Sequence, residues 1–294
     1  MKVFNLLLLA FMVSGAATAA KHTRPPPQPV CSAFGWCKVG TLSGVTSSYT
    51  PVVQLGGSQI RVYANTANGV DGSLYLRVGS WSSVGGPSLV LDVTVPRDSF
   101  IRTSGIARGA SGRYYAVLYT GDGYPTQGGY SPSWATSEDG YAWTWNGPID
   151  IFGRNQSSAA NLIVDEARVD DYRFMFWMDL AGVGIVLVHS ADGVTWASDR
   201  VPMWPIAGEY PQFLAGVKDQ YGYHLIGANA YPATALRHVF SCDGLTNWRM
   251  LETSAAILGG SVKGTNLAYD APNNLIHALT IGVHYQIPVR DWGC

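Results

Sequence analysis

A chain of 294 residues with a formal net charge of −1 gives no electrostatic reason to bind nucleic acid or an acidic membrane. Only 13% of its residues are charged, while it carries 34 Gly, 16 Pro, 10 Trp and 16 Tyr. That balance excludes a charge-rich helical or disordered chain and points to an all-β protein with many turns. The aromatic rings suit stacking on sugars, but filling β cores is their commoner use.

The first twenty residues, "MKVFNLLLLAFMVSGAATAA", read as a signal peptide, residues 1–20. Lys2 precedes an apolar run from Phe4 to Val13 that is too short to span a bilayer. Ala17 and Ala19 fit the small-x-small rule for cleavage. The expected product is secreted or periplasmic, with no membrane insertion. "KHTRPPPQPV" follows, and its prolines favour an extended, solvated chain. Residues 21–39 are thus expected to be a Pro-rich spacer ending in a small disulfide loop. The four cysteines of an exported chain suggest two disulfides, and three pairings exist. Cys31 and Cys37 are near enough in sequence to close the loop "CSAFGWC", which would leave Cys242 with Cys294.

Beyond residue 40 the chain repeats. "SEDGYAW" runs from Ser137 to Trp143, "SADGVTW" from Ser190 to Trp196, and "SCDGLTNW" from Ser241 to Trp248. The serines are 53 and then 51 residues apart, a period that marks an array of equivalent units. "SGIARGA", "NLIVDEA" and "PQFLAGV" open the three units, each followed by a polar turn and an aromatic strand. Two weaker units flank them, one from "SQIRVYANTANGVDGSLYLRVGS" to "PSLVLDVTV" and one in "TNLAYDAPNNLIHALTIGVHYQI". The prediction is an all-β fold, a five-bladed β-propeller of four-stranded antiparallel blades over residues 40–294. Its blades span approximately 40–97, 98–150, 157–205, 206–256 and 257–294. A β-sandwich would not explain the repeat. Asp139, Asp192 and Asp243 are expected to be structural: each carboxylate can cap its own turn, and the following Gly can take positive φ. The Trp is expected to fold back on the outer edge of its blade.

Candidate chemistry lies at the starts of the innermost strands, which line a central funnel. Aligning the units on Tyr114, Tyr172 and Tyr221 puts Arg102, Ala160 and Glu209 at one level, and Lys263 or Thr265 in the last unit. Glu209 lies in "IAGEYPQFLAGVKDQYGYHLIGAN", which resembles the Glu-x-Pro segment of propeller glycoside hydrolases of family 43 and its relatives (families 32, 62, 68 and 117). The Ser-x-Asp-Gly-x-x-Trp strand ends are similar to blades of the same group, and the likeness covers about residues 98–255. It implies Glu209 as the catalytic acid and Asp98 as the base. "PRDSFI" resembles the family's Arg-Asp-Pro-Phe-Ile start, with Ser99 in place of Pro. Asp150 and Asp165 are candidates for tuning the acid. Arg102, Asn161, Tyr210, Trp177 and Asn266 are the substrate-binding candidates. No cofactor is expected, although the resemblance allows a funnel metal ion such as calcium, with His284 as a candidate ligand. His189 and His238 precede turn motifs and are expected to be structural. Arg102 and Ala160 stand where the family would show Asp.

Two function classes follow. One is an exported glycosidase, monomeric, with a glycan as substrate and no nucleic-acid partner. The other is a non-catalytic carbohydrate-binding or surface-interaction propeller, or a structural component of a surface or particle. A sialidase ranks last among enzymes, because its turn motif has a further residue between Asp and Gly.

Overall fold

The computed structural model describes residues 31–32, 34–41, 52–56, 59–67, 74–81, 88–93, 100–121, 131–149, 158–180, 184–200, 212–228, 236–254, 266–280 and 283–294. Every regular element among them is a strand. Strand β1 (Cys37–Thr41) comes first. The next sheet contains β2 (Val52–Gly56), β3 (Gln59–Ala67), β4 (Leu74–Trp81) and β5 (Ser88–Val93). Then come β6 (Phe100–Arg108), β7 (Tyr114–Gly121), β8 (Ser131–Ser137) and β9 (Thr144–Pro148). The third sheet holds β10 (Ser158–Val164), β11 (Phe174–Leu180), β12 (Gly184–Ser190) and β13 (Ala197–Arg200). The fourth holds β14 (Gln212–Lys218), β15 (Tyr223–Ala228), β16 (Leu236–Ser241) and β17 (Arg249–Ser254). The last holds β18 (Asn266–Asp270), β19 (Leu275–Thr280) and β20 (Val283–Pro288), with β1 paired to β20.

Every sheet is antiparallel; four are meanders of consecutive strands, and β1 completes the last. The first strands touch one another in cyclic order: β2 meets β6, then β10, β14 and β18, and β18 meets β2 again. The molecule is an all-β propeller with four-stranded antiparallel blades. In this arrangement both faces of a sheet are covered, so a strand reads as a continuous apolar run. β11 illustrates this. Phe174 and Phe176 pack with Tyr115, Val117 and Trp134 of the preceding sheet. Their neighbours Met175 and Trp177 point to the opposite face and pack with Tyr223, Leu225 and Trp248 of the following one. Trp177 is therefore core, with no exposed surface, and not the substrate-binding side chain expected from the sequence.

The repeated turn forms as anticipated. Asp192 Oδ1 accepts the Val194 and Thr195 N–H groups, both at 2.7 Å, and the Ser190 hydroxyl at 3.0 Å. Gly193 takes φ +73°, and its N–H donates to Ser190 Oγ at 2.8 Å. Asp139 and Asp243 accept the corresponding N–H groups at 2.7–2.9 Å. The tryptophans differ from expectation. Trp196 meets Trp134 of the preceding sheet edge-on at 5.0 Å, and Trp248 meets Trp177 likewise at 5.9 Å. They are wedged between blades, where more apolar surface is available than at a blade's rim.

Both disulfides are Cys31–Cys37 and Cys242–Cys294. The boundary drawn at residue 39 cuts through β1. The loop runs straight into a strand because β20 would otherwise leave an open edge in the last sheet.

Candidate functional site

Strand pairing fixes the level of each innermost residue. Tyr114 opens β7 opposite Arg108. Its counterparts are Phe174 opposite Val164 and Tyr223 opposite Lys218, not Tyr172 and Tyr221. The sequence alignment slipped because the hairpin turns also carry a Tyr and differ in length. Gly109 N–H donates to Arg113, Asp165 N–H to Arg173 and Asp219 N–H to Gly222, each at 2.9 Å. Gly109, Asp165, Asp219 and Asp270 thus end equivalent inner strands. Counted back from these turns, Arg102 shares a level with Ser158 and Gln212 rather than with Ala160 and Glu209. Asn161 and Asn266 fall at one level, four residues before Asp165 and Asp270. Strands β6, β10 and β14 each carry an irregularity near this height, where a bulge re-aims side chains.

Glu209, Asp98, Tyr210 and Asp150 lie outside the described residues. Arg102 sits in β6 opposite Tyr119, and Asn161 in the irregular part of β10. Asn266 opens β18 opposite Leu279 and is buried. Asp165 lies at the other end of its strand, so it is not placed to tune an acid in the funnel. His284 lies in β20, two strands away from the axis, with its Nε2 2.8 Å from His277 Nδ1. Among the described residues no group of three or more His, Cys, Asp and Glu side chains could hold a metal ion.

Where the inner strands end, a cavity of about 550 Å³ is lined by Arg108, Asp165, Glu166, Lys218, Asp219 and Tyr269, among others. Its charges are paired. Asp165 Oδ2 accepts the Tyr223 hydroxyl at 2.8 Å and faces Lys218 Nζ at 3.1 Å. Arg168 donates to the Tyr223 hydroxyl at 3.2 Å and to the Asp243 carbonyl at 2.7 Å. Burial first, and then the bond to Asp165, raise the Tyr223 phenol above its ordinary range. These groups join neighbouring blades and leave no unpaired acid or base for catalysis.

Sequence reading missed two buried Asp–His–His chains in register with each other. Asp219 Oδ2 contacts His224 Nε2 at 3.0 Å, and His224 Nδ1 contacts His238 Nε2 at 2.9 Å. Asp270 Oδ2 contacts His277 Nε2 at 3.3 Å, and His277 then meets His284. His224 pairs with Val217 and His277 with Ala268, each two residues before its aspartate. Burial lowers all four imidazole pKa values, that of His284 to about 3. Burial alone would raise Asp219, but its bonds to His224 and Trp292 outweigh that and lower it. The pair is therefore a carboxylate beside neutral imidazole. A matching Asp…His…His order in adjacent repeats was the available signal, blurred by unequal turn lengths.

No family model matches the chain, and no curated protein matches it in sequence. Solved structures do match in fold. A glycosyl hydrolase from Bacteroides ovatus superposes with a TM-score of 0.54 at 12% identity, over 87% of this chain and 85% of that one. An arabinanase from Bacillus subtilis gives 0.54 at 13%, over 85% and 96%. A xylan β-1,4-xylosidase from Bacillus halodurans gives 0.53 at 12%, over 84% of this chain and 52% of that one. The fold is that of family 43-type glycoside hydrolases.

Proposed function

We propose that the chain is an exported, five-bladed glycoside hydrolase-like protein that cleaves a glycan by carboxylate acid/base catalysis at the open end of the channel. Glu209 is the acid and Asp98 the base. The observation that carries this reading is the corrected register. Glu209 stands ten residues before its turn residue Asp219, and Asp98 eleven before Gly109. The two residues thus have sequence offsets from equivalent turn residues that differ by one. An inverting pair needs two carboxyls facing each other with room for a water between them, roughly 6.5–9.5 Å apart. The fold shared with an arabinanase and a xylosidase supports an arabinose- or xylose-type linkage as substrate. Asn161 and Asn266, which share a level, are the polar side chains proposed to hold the sugar. Both disulfides are consistent with export.

The test is hydrolysis of a panel of aryl glycosides and arabino- and xylo-oligosaccharides by the protein, Glu209→Gln and Asp98→Asn. Turnover lost by about 10²-fold or more in each variant, with binding retained, is the expected result. Equal turnover in all three removes both residues from the mechanism. Saturable binding without turnover in the unmodified protein selects the second reading, a carbohydrate-binding propeller.

A further inference from the structure

The Asp219 chain does not end at His238. Trp36, in the N-terminal disulfide loop, donates its Nε1–H to His238 Nδ1 at 3.3 Å. Trp292, two residues from the C-terminal cysteine, donates to Asp219 Oδ2 at 2.8 Å. The direction of every bond is then determined. Asp219 is ionised, so His224 Nε2 carries a hydrogen and donates to it. His224 Nδ1 must accept, so His238 Nε2 carries a hydrogen. His238 Nδ1 is left as the acceptor that Trp36 requires. Each imidazole is neutral, and each of its nitrogens has one partner.

One added proton breaks this arrangement at a particular place. If it enters on His238, Nδ1–H faces the Trp36 N–H. If it enters on His224 Nδ1, His238 must accept at Nε2 and move its own hydrogen to Nδ1. The same two donors then face each other. Every arrangement that keeps the inner bonds puts the conflict at Trp36. Burial adds to the cost, since Trp36, His224, His238 and Trp292 are all buried.

We infer that the Asp219–His224–His238 chain is an acid-operated latch, which holds the Trp36 loop on the fourth sheet when neutral and releases it on taking up one proton. Cations stand beside the chain. Arg290 stacks over Phe34 at 4.4 Å and Trp292 at 5.0 Å and repels charge on His238. Arg249 lies 5.4 Å from the Phe240 ring, which packs on His224 at 4.9 Å. The other titratable neighbours are Tyr221 in the β14–β15 turn, Tyr269 of β18, whose phenol is raised by burial and then by Asp219, and Glu252 of β17, which pairs in register with His238.

The experiment follows the indole N–H signals of Trp36 and Trp292 by NMR in ¹⁵N-tryptophan-labelled, disulfide-bonded protein from pH 8 to pH 4, with far-UV circular dichroism in parallel. Trp36→Phe assigns one signal and also tests the idea. The Trp36 signal is expected to lose its hydrogen-bonded shift before sheet content falls. In Trp36→Phe, release of the loop is read from protease cleavage within residues 31–41. It is expected about half a pH unit or more below that of the unmodified protein, because the conflicting donor is gone. A residue that merely packs would act oppositely: its loss would move release to higher pH. Release of Trp36→Phe at the same or higher pH overturns the latch. So does a Trp36 signal that changes only with global unfolding. His238→Phe removes the acceptor, and the latch requires that loop protection in this variant become independent of pH.

Discussion

The Glu166 carboxylate occupies the space that any side chain on Gly109 would need. It reaches from the β10–β11 turn into the preceding blade, where it accepts the Ser111 N–H at 2.5 Å, the Ser111 hydroxyl at 2.6 Å and the Tyr115 hydroxyl at 2.8 Å. Gly109 is the counterpart of Asp165, Asp219 and Asp270, so a carboxylate borrowed from the next blade stands where the other blades supply their own. Gly109→Ala is expected to displace it and cost about 1–3 kcal/mol in urea unfolding. Glu166→Ala should cost a similar amount. The two together should fall well short of the sum, because both remove the same bonds. Additive losses would mean the contacts are independent.

Gly193 carries two constraints. Its φ of +73° disfavours a side chain, and a Cβ there would lie 2.8 Å from Trp134 Nε1 of the neighbouring blade. Gly193→Ala should therefore destabilise by roughly 1–3 kcal/mol. Asp192→Ala, which frees the Val194 and Thr195 N–H groups at an exposed turn, should cost about 1 kcal/mol. The proposed glycan hydrolysis, measured per folded molecule, should not change in either. Loss of turnover at full folding would give this turn a role in chemistry.

Acid stability should fall in two stages. The buried imidazoles of both chains have folded pKa values below the unfolded 6.5. The unfolded chain then binds more protons as pH drops below about 6.5, and stability decreases from there. Asp243 behaves differently. Burial raises its pKa, but the Thr246 backbone and hydroxyl, the Leu245 N–H and the Ser241 hydroxyl outweigh that and hold it at about 2, against 3.8 unfolded. Its contribution is present above roughly pH 4 and is lost as pH falls through about 2. Urea midpoints measured between pH 8 and pH 2 should show both falls. Asp243→Asn should shrink only the lower one.

Cys242–Cys294 closes a loop of sequence separation 52 and anchors the segment that carries Trp292. Cys294→Ser should cost about 2–4 kcal/mol. Thermal unfolding under oxidising conditions measures it. A loss no larger than that of an exposed Ser substitution elsewhere would show that Trp292 and Arg290 hold the tail unaided.

The blade rhythm was legible because Ser-x-Asp-Gly-x-x-Trp is built from local bonds, within six residues of one another. Both disulfides could be read for a related reason, since Cys31 and Cys37 are close in sequence and only one pair remained. The site register was not legible. It depends on which residue opens the second strand, and the turns hold Tyr172 and Tyr221 while the strands begin with Phe174 and Tyr223. Trp177 looked like a sugar platform because composition cannot say whether both faces of a strand are covered. The histidine chains escaped notice for a longer-range reason. His224 and His238 meet only once β15 and β16 pair, and Trp36 arrives from 202 residues away.

The pairing of β1 with β20 joins residues 37–41 to residues 283–286. The contact is between residues far apart in sequence, and the entropy of closing so long a loop must be met before that edge forms. Sheets made of consecutive strands can assemble as those strands are made, whereas the last sheet has to wait for β20. A break placed between two complete blades would leave every sheet intact as a run of neighbours, with the present ends joined inside the fifth. Circular permutants cut there should fold faster than the natural order.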